Sequence, residues 1–136
     1  MNLIGEIKKK GHRVTKSREL ICEILENSGH AHFTVDELYK KVTKKSSEVD
    51  LATVYRTLEL LGQIGLIAHL HRAHGSGIYF LRNEENIMHL ICMSCERIID
   101  ISFETFTKIN KLLMKETKFT SINNNFIYSG ICENCK

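Results

Sequence analysis

The sequence predicts an α+β fold in two parts: a helix-rich first part closed by a β-hairpin, then a smaller α/β part. Three observations predict it. Residues 50–61, DLATVYRTLELL, repeat apolar side chains at helical spacing behind an aspartate cap. Residues 66–72 and 78–81 are apolar runs on either side of Ala73-His74-Gly75-Ser76-Gly77, the pattern of a hairpin. Beyond Asn83-Glu84-Glu85-Asn86 the chain changes to short strand-like runs, one helix and two Cys-x-x-Cys pairs. The expected divisions are 1–82, a hinge at 83–86, and 87–136.

Taken in order, residues 2–10 form a short helix ended by Gly11. Thr15 caps a stronger helix, Lys16 to Ser28, with Leu20, Ile21, Ile24 and Leu25 on its buried face and Gly29 as its stop. Cys22 beside that face reads as a small core thiol. Thr34-Val-Asp-Glu37 is a capping box, and Val35, Leu38, Tyr39 and Val42 continue its helix. In the fourth helix, ended by Gly62 and Gly65, the expected core stripe is Leu51, Val54, Leu58 and Leu61. Ala52, Thr53, Tyr55 and Arg56 are left on the outer face of its first turns. Arginine grips phosphate or reads guanine, and alanine and threonine methyls touch thymine methyls. Short helices followed by a helix with a polar, basic face, then a hairpin, make a winged helix-turn-helix.

Charge supports an anionic partner for this part. Residues 1–82 carry 13 Lys and Arg against 9 Asp and Glu, whereas residues 83–136 carry 6 against 7. Six of the basic residues crowd the first eighteen positions. No run reaches the length of a membrane span, and the first residues carry lysines after the apolar positions instead of before them. The expected location is therefore the cytoplasm, with no membrane partner.

In the second part, Leu90-Ile91, Arg97 to Ile101 and Phe126 to Ile131 read as strands. Ser102 caps a helix through about Lys115, with Phe103, Phe106, Ile109, Asn110 and Leu113 along one side. So short a segment buries little by itself and needs a staple, a partner subunit, or both. Cys92-x-x-Cys95 and Cys132-x-x-Cys135 supply the staple, since two such pairs complete a closed tetrahedral shell of four thiolates, the arrangement of structural zinc. A redox dithiol would open a helix after a strand, which these do not. His69 and His71 share a face of the expected wing strand, and His89 lies three residues before Cys92. Together they suggest a second metal site flanking the hinge, while His12 and His30 read as ordinary exposed histidines. No phosphate loop or hydrolase elbow is present, and a closed four-thiolate site leaves no position for a reactive water, so no enzyme is expected.

The chain resembles the ferric uptake regulator family of bacterial metal-dependent repressors. The resemblance lies in Arg13-Val-Thr15, Asp36-Glu37-Leu38-Tyr39, Leu51-Ala-Thr-Val-Tyr-Arg56-Thr-Leu58, Gly65-Leu66-Ile67, His89-Leu-Ile-Cys92-Met-Ser-Cys95 and the terminal Cys-x-x-Cys. It implies a DNA-binding winged helix, a C-terminal dimerisation domain, and a homodimer on an AT-rich palindrome of double-stranded DNA. The positions matching Tyr55 and Arg56 contact DNA, and Lys16, where the family commonly has proline, adds a charge beside it.

The resemblance also implies an inter-domain sensory site, to which His32, His89 and Asp100 correspond. Its remaining positions depart: Ile87 and Phe80 stand where the family has histidine and glutamate. Asn86, Met88, Thr107 and Asn124 occupy the positions of an accessory site. His69 and His71 are the expected replacements. The regulatory metal expected is Zn2+, Ni2+ or Fe2+/Mn2+, and a nitrogen-rich set with one carboxylate leans towards zinc or nickel over iron(II). The function expected is a metal-responsive repressor of metal-homeostasis genes. A peroxide- or redox-responsive regulator and a metal-independent one are the alternatives.

Overall fold

The computed structural model describes residues 1–72, 75–82, 88–120 and 127–136. Ala73, His74, the expected hinge 83–86, Ile87, Asn124 and Phe126 lie outside the described residues. The chain forms two compact units, Met1–Arg82 and Asn83–Lys136.

The first unit opens with α1 (Leu3–Lys9) and α2 (Lys16–Asn27), followed by α3 (Val35–Lys45) and α4 (Leu51–Gln63). Each starts where a side chain can accept an unpaired helix N–H. Asn2 accepts from Gly5, Thr15 from Arg18, and Asp50 from Thr53. Thr34 and Glu37 make both bonds of the capping box, at 3.2 and 2.7 Å. The helices bury Leu3, Ile7, Ile21, Leu25, Leu38 and Val42 in one core. Cys22 is fully buried there, and burial, reinforced by the nearby Glu26 charge, pushes its thiol pKa up to about 12. It is an inert core thiol.

Two details of α4 differ from the sequence pattern. The helix passes through Gly62 to Gln63, and the chain turns at Gly65, whose φ of +79° suits glycine. Its buried face is Val54, Thr57, Leu58, Leu60 and Leu61, while Leu51 lies at the exposed start. Thr57 fits the core because its hydroxyl bonds the Thr53 carbonyl at 2.8 Å, which satisfies the one polar atom.

β1 (Ile67–Leu70) and β2 (Ile78–Leu81) form the antiparallel hairpin, with His69 opposite Tyr79. β1 is shorter than the expected 66–72, so His71 and Arg72 lie beyond it. Phe33 adds an isolated antiparallel bridge to Tyr79, with backbone bonds of 2.8 and 3.0 Å. The segment before α3 is thereby tied to the outer side of β2.

The second unit contains β3 (Met88–Cys92), β4 (Ile98–Ile101), α5 (Phe103–Thr117), β5 (Ile127–Gly130) and a 3-10 turn at Glu133–Cys135. The sheet order is β4-β3-β5, antiparallel on one side of β3 and parallel on the other. Ser102 caps α5 as expected. Of the expected apolar side of α5, only Phe106 is buried, and Phe103 is exposed.

Candidate metal centres and nucleic-acid interface

The four-cysteine cluster grows out of the central strand. Cys92 ends β3, the chain turns through 93–95, and the Glu96 N–H returns to the Cys92 carbonyl at 2.9 Å. Glu96 takes a left-handed φ of +60° to close that knuckle. β5 runs parallel to β3, so the chain leaves it beside the first pair, and Cys132 starts the 3-10 turn that carries Cys135. The four Sγ atoms come within 4.8 Å of one another, and Cys95 and Cys132 are 3.8 Å apart. Zinc–sulfur bonds of about 2.3 Å give a tetrahedron edge of about 3.8 Å, so the donor set fits a tetrahedral ion.

The thiols also hold their protons unequally. Backbone N–H groups of Cys132, Cys95 and Ser94 point at Cys92 and bring its pKa down to about 6, the Cys132 donor lying 3.4 Å from the sulfur. Cys132 is held above the usual thiol range, chiefly by its interaction with Cys135. None of the five cysteines forms a disulfide.

Within the second unit, His89 is buried and its Nδ1 lies 2.7 Å from Asp100 Oδ1, across the β3–β4 pair that sets these residues opposite each other. At that distance the carboxylate and the imidazole can share a proton or face one ion together. Within the first unit, the His32 ring meets Phe80 edge-on at 5.5 Å and His30 at 5.2 Å. His30 had no sequence signal beyond its spacing of two from His32.

His69 and His71 lie 4.3 Å apart by ring centres, and His69 stacks on Tyr79 at 4.2 Å. Burial, with the adjacent His71, lowers the His69 pKa. Among the described residues, no third His, Cys, Asp or Glu completes a metal-binding group with this pair.

The expected nucleic-acid face is carried by the segment that leads into α2 and by the first turns of α4. Arg13, Thr15, Lys16, Ala52, Tyr55 and Arg56 are exposed, and Thr53 is half-buried. Asp50 holds this end of α4: its carboxylate accepts from the Thr53 hydroxyl and N–H, which keeps its pKa below the usual 3.8. Arg56 Nε donates to the Ala52 carbonyl at 3.3 Å, so the guanidinium lies along the outer face. Tyr55, Glu59, His69, Tyr79 and Arg82 help to line a cleft of about 490 Å³ between α4 and the hairpin.

The model of the ferric uptake regulator family matches residues 9–129, nearly the whole chain. The chain belongs to the ferric uptake regulator family. The ferric uptake regulation protein of Bacillus subtilis is 31% identical, over 98% of this chain and 95% of that protein. The peroxide-responsive repressor PerR of Staphylococcus epidermidis is 29% identical, over 98% of this chain and 87% of its own length. The structure of the ferric uptake regulator from Pseudomonas aeruginosa with manganese superposes with a TM-score of 0.83 at 24% identity, covering 98% of this chain and 99% of that one. As a member of the family, this protein is a metal-dependent transcriptional repressor. Among the described residues, no helix is long and apolar enough to cross a membrane.

Proposed function

We propose that the protein is a homodimeric repressor of metal-homeostasis genes, whose grip on an AT-rich palindrome depends on a divalent metal held by His32, His89 and Asp100. Zinc in the four-thiolate cluster serves as the structural staple. A closed shell of four sulfurs exchanges its ion too reluctantly to report a changing supply. The observation that carries the reading is the second, non-thiolate donor set, the buried His89 with the Asp100 carboxylate 2.7 Å from its Nδ1. The mechanism is linkage: a metal that binds the DNA-competent conformation more tightly shifts the population towards it. DNA is read by Tyr55 and Arg56, with Ala52 and Thr53 beside them. Arg13, Thr15 and Lys16 contribute phosphate contacts. Dimerisation is supported by an apolar row across the second unit's sheet, where exposed Leu90 lies between its register partners Ile99 and Tyr128.

The experiment is binding to a labelled AT-rich palindrome with the non-thiolate metal stripped and Zn2+, Ni2+, Mn2+ or Fe2+ restored at buffered concentrations. One metal should raise affinity, and His89→Ala should abolish that gain. Equal affinity throughout would make the protein a metal-independent binder. Arg56→Ala should weaken the metal-loaded complex by about 1–3 kcal/mol, with zinc content unchanged. Undiminished affinity would place the reading face elsewhere.

A further inference from the structure

We infer that His30 is a ligand of the regulatory metal alongside His32, so that the N-terminal unit offers the ion two imidazoles and favours zinc, nickel or cobalt over manganese or iron(II). The inference rests on the regulatory reading above and assigns part of its ligand set. Gly29, at φ +58°, turns the chain out of α2, and the Phe33–Tyr79 bridge ties the following residues to β2. Alternate residues of an extended segment share a face, which puts His30 and His32 on one side.

Their ring centres are 5.2 Å apart at an interplanar angle of 76°. A metal–nitrogen bond of about 2.1 Å sets each imidazole centre about 3.2 Å from the ion, so two imidazoles at a tetrahedral angle lie about 5.2 Å apart. Phe80 packs edge-on against both rings, at 5.9 and 5.5 Å, and holds that spacing from below without supplying a donor atom. A carboxylate there would have brought oxygen to the ion. Phenylalanine withholds that oxygen, and a set richer in nitrogen suits zinc, nickel and cobalt better than manganese.

The test uses the full-length protein with zinc retained in the four-thiolate site, titrated with Co2+ and followed by its visible d–d absorption. Zn2+ and Mn2+ are then measured in competition. His30→Ala and His30→Gln should each lower Co2+ affinity at least tenfold and alter the absorption bands, while His69→Ala with His71→Ala changes neither. Unchanged zinc content and far-ultraviolet dichroism establish that the variants are folded. His30→Asp, which exchanges nitrogen for oxygen, should narrow the gap between Zn2+ and Mn2+ affinities. Wild-type Co2+ affinity and bands in both His30→Ala and His30→Gln would overturn the assignment, as would an unchanged gap in His30→Asp. A second Co2+ equivalent that depends on His30 but leaves DNA affinity unaltered would retire the regulatory reading and keep the ligand. Wild-type protein that takes up no second equivalent would overturn both.

Discussion

The two units reach a folded state by different means. Met1–Arg82 closes four capped helices and a hairpin around a continuous apolar core. In Asn83–Lys136 the buried apolar side chains among the described residues are Met88, Ile91, Cys92 and Phe106, while Phe103, Leu112 and Phe119 are each more than half exposed. Burial near 25 cal/mol per Å² sustains the first unit, but so small a core rarely balances chain entropy in the second. On the proposed reading, an ion between its cysteines and the surface of a second subunit would supply what this core lacks.

The contrast can be broken most severely at the cysteines. Structural zinc contributes about 10–16 kcal/mol in small metal-stapled domains, comparable with the whole stability of a domain. Cys132→Ser should release zinc, melt the second unit's sheet and yield monomers, with the helices of the first unit still unfolding cooperatively. Zinc analysis, sedimentation and thermal dichroism would measure this. A stable dimer without that zinc would show that the two units are not so different.

The opposite lesion is Leu61→Ala, which opens a cavity in a core where Leu61 is fully buried. It should cost about 2–5 kcal/mol in urea unfolding of the first unit, with zinc content untouched. A cost below 1 kcal/mol would mean that the first unit's core is looser than its packing implies.

A smaller effect, of opposite sign, is expected at the end of α5, where Lys118 takes a left-handed φ of +58° as the helix C-cap. Lys118→Gly removes that steric cost and should stabilise the second unit by about 1 kcal/mol, seen as a raised melting temperature. A fall instead would mean that the lysine side chain contributes contacts of its own.

The smallest effect concerns pH. The Asp50 pKa is lowered on folding, so its cap contributes above the unfolded value of 3.8 and is lost as pH falls through the lower folded value. An NMR titration should place the Asp50 midpoint below 3.8. In urea unfolding, the difference between wild type and Asp50→Asn should shrink towards acid pH. A midpoint at or above 3.8 would remove the hydroxyl and N–H of Thr53 as stabilisers of the charged cap.

Much of this architecture was legible in the sequence because its determinants are local. Caps at Thr15, Thr34, Asp50 and Ser102 announce helix starts within three residues of the groups they bond. Each cysteine pair is spaced to meet one ion whatever surrounds it. Local spacing misjudged Gly62, since a helix already packed against its neighbours tolerates one glycine inside it. It also put Leu51 in the core and left Thr57 out, because periodicity records polarity and cannot see the Thr53 carbonyl that satisfies the hydroxyl.

The sequence by itself determined the helices, the hairpin, the four thiolates and the basic outer face of α4, all set by contacts within a few residues or by ligand chemistry. Only the tertiary structure decided that His30 stands beside His32 on Phe80, and that His69 rests on Tyr79. The first grouping depends on Phe33 pairing with Tyr79, forty-six residues along the chain, and long-range pairing is the one property that local spacing does not encode.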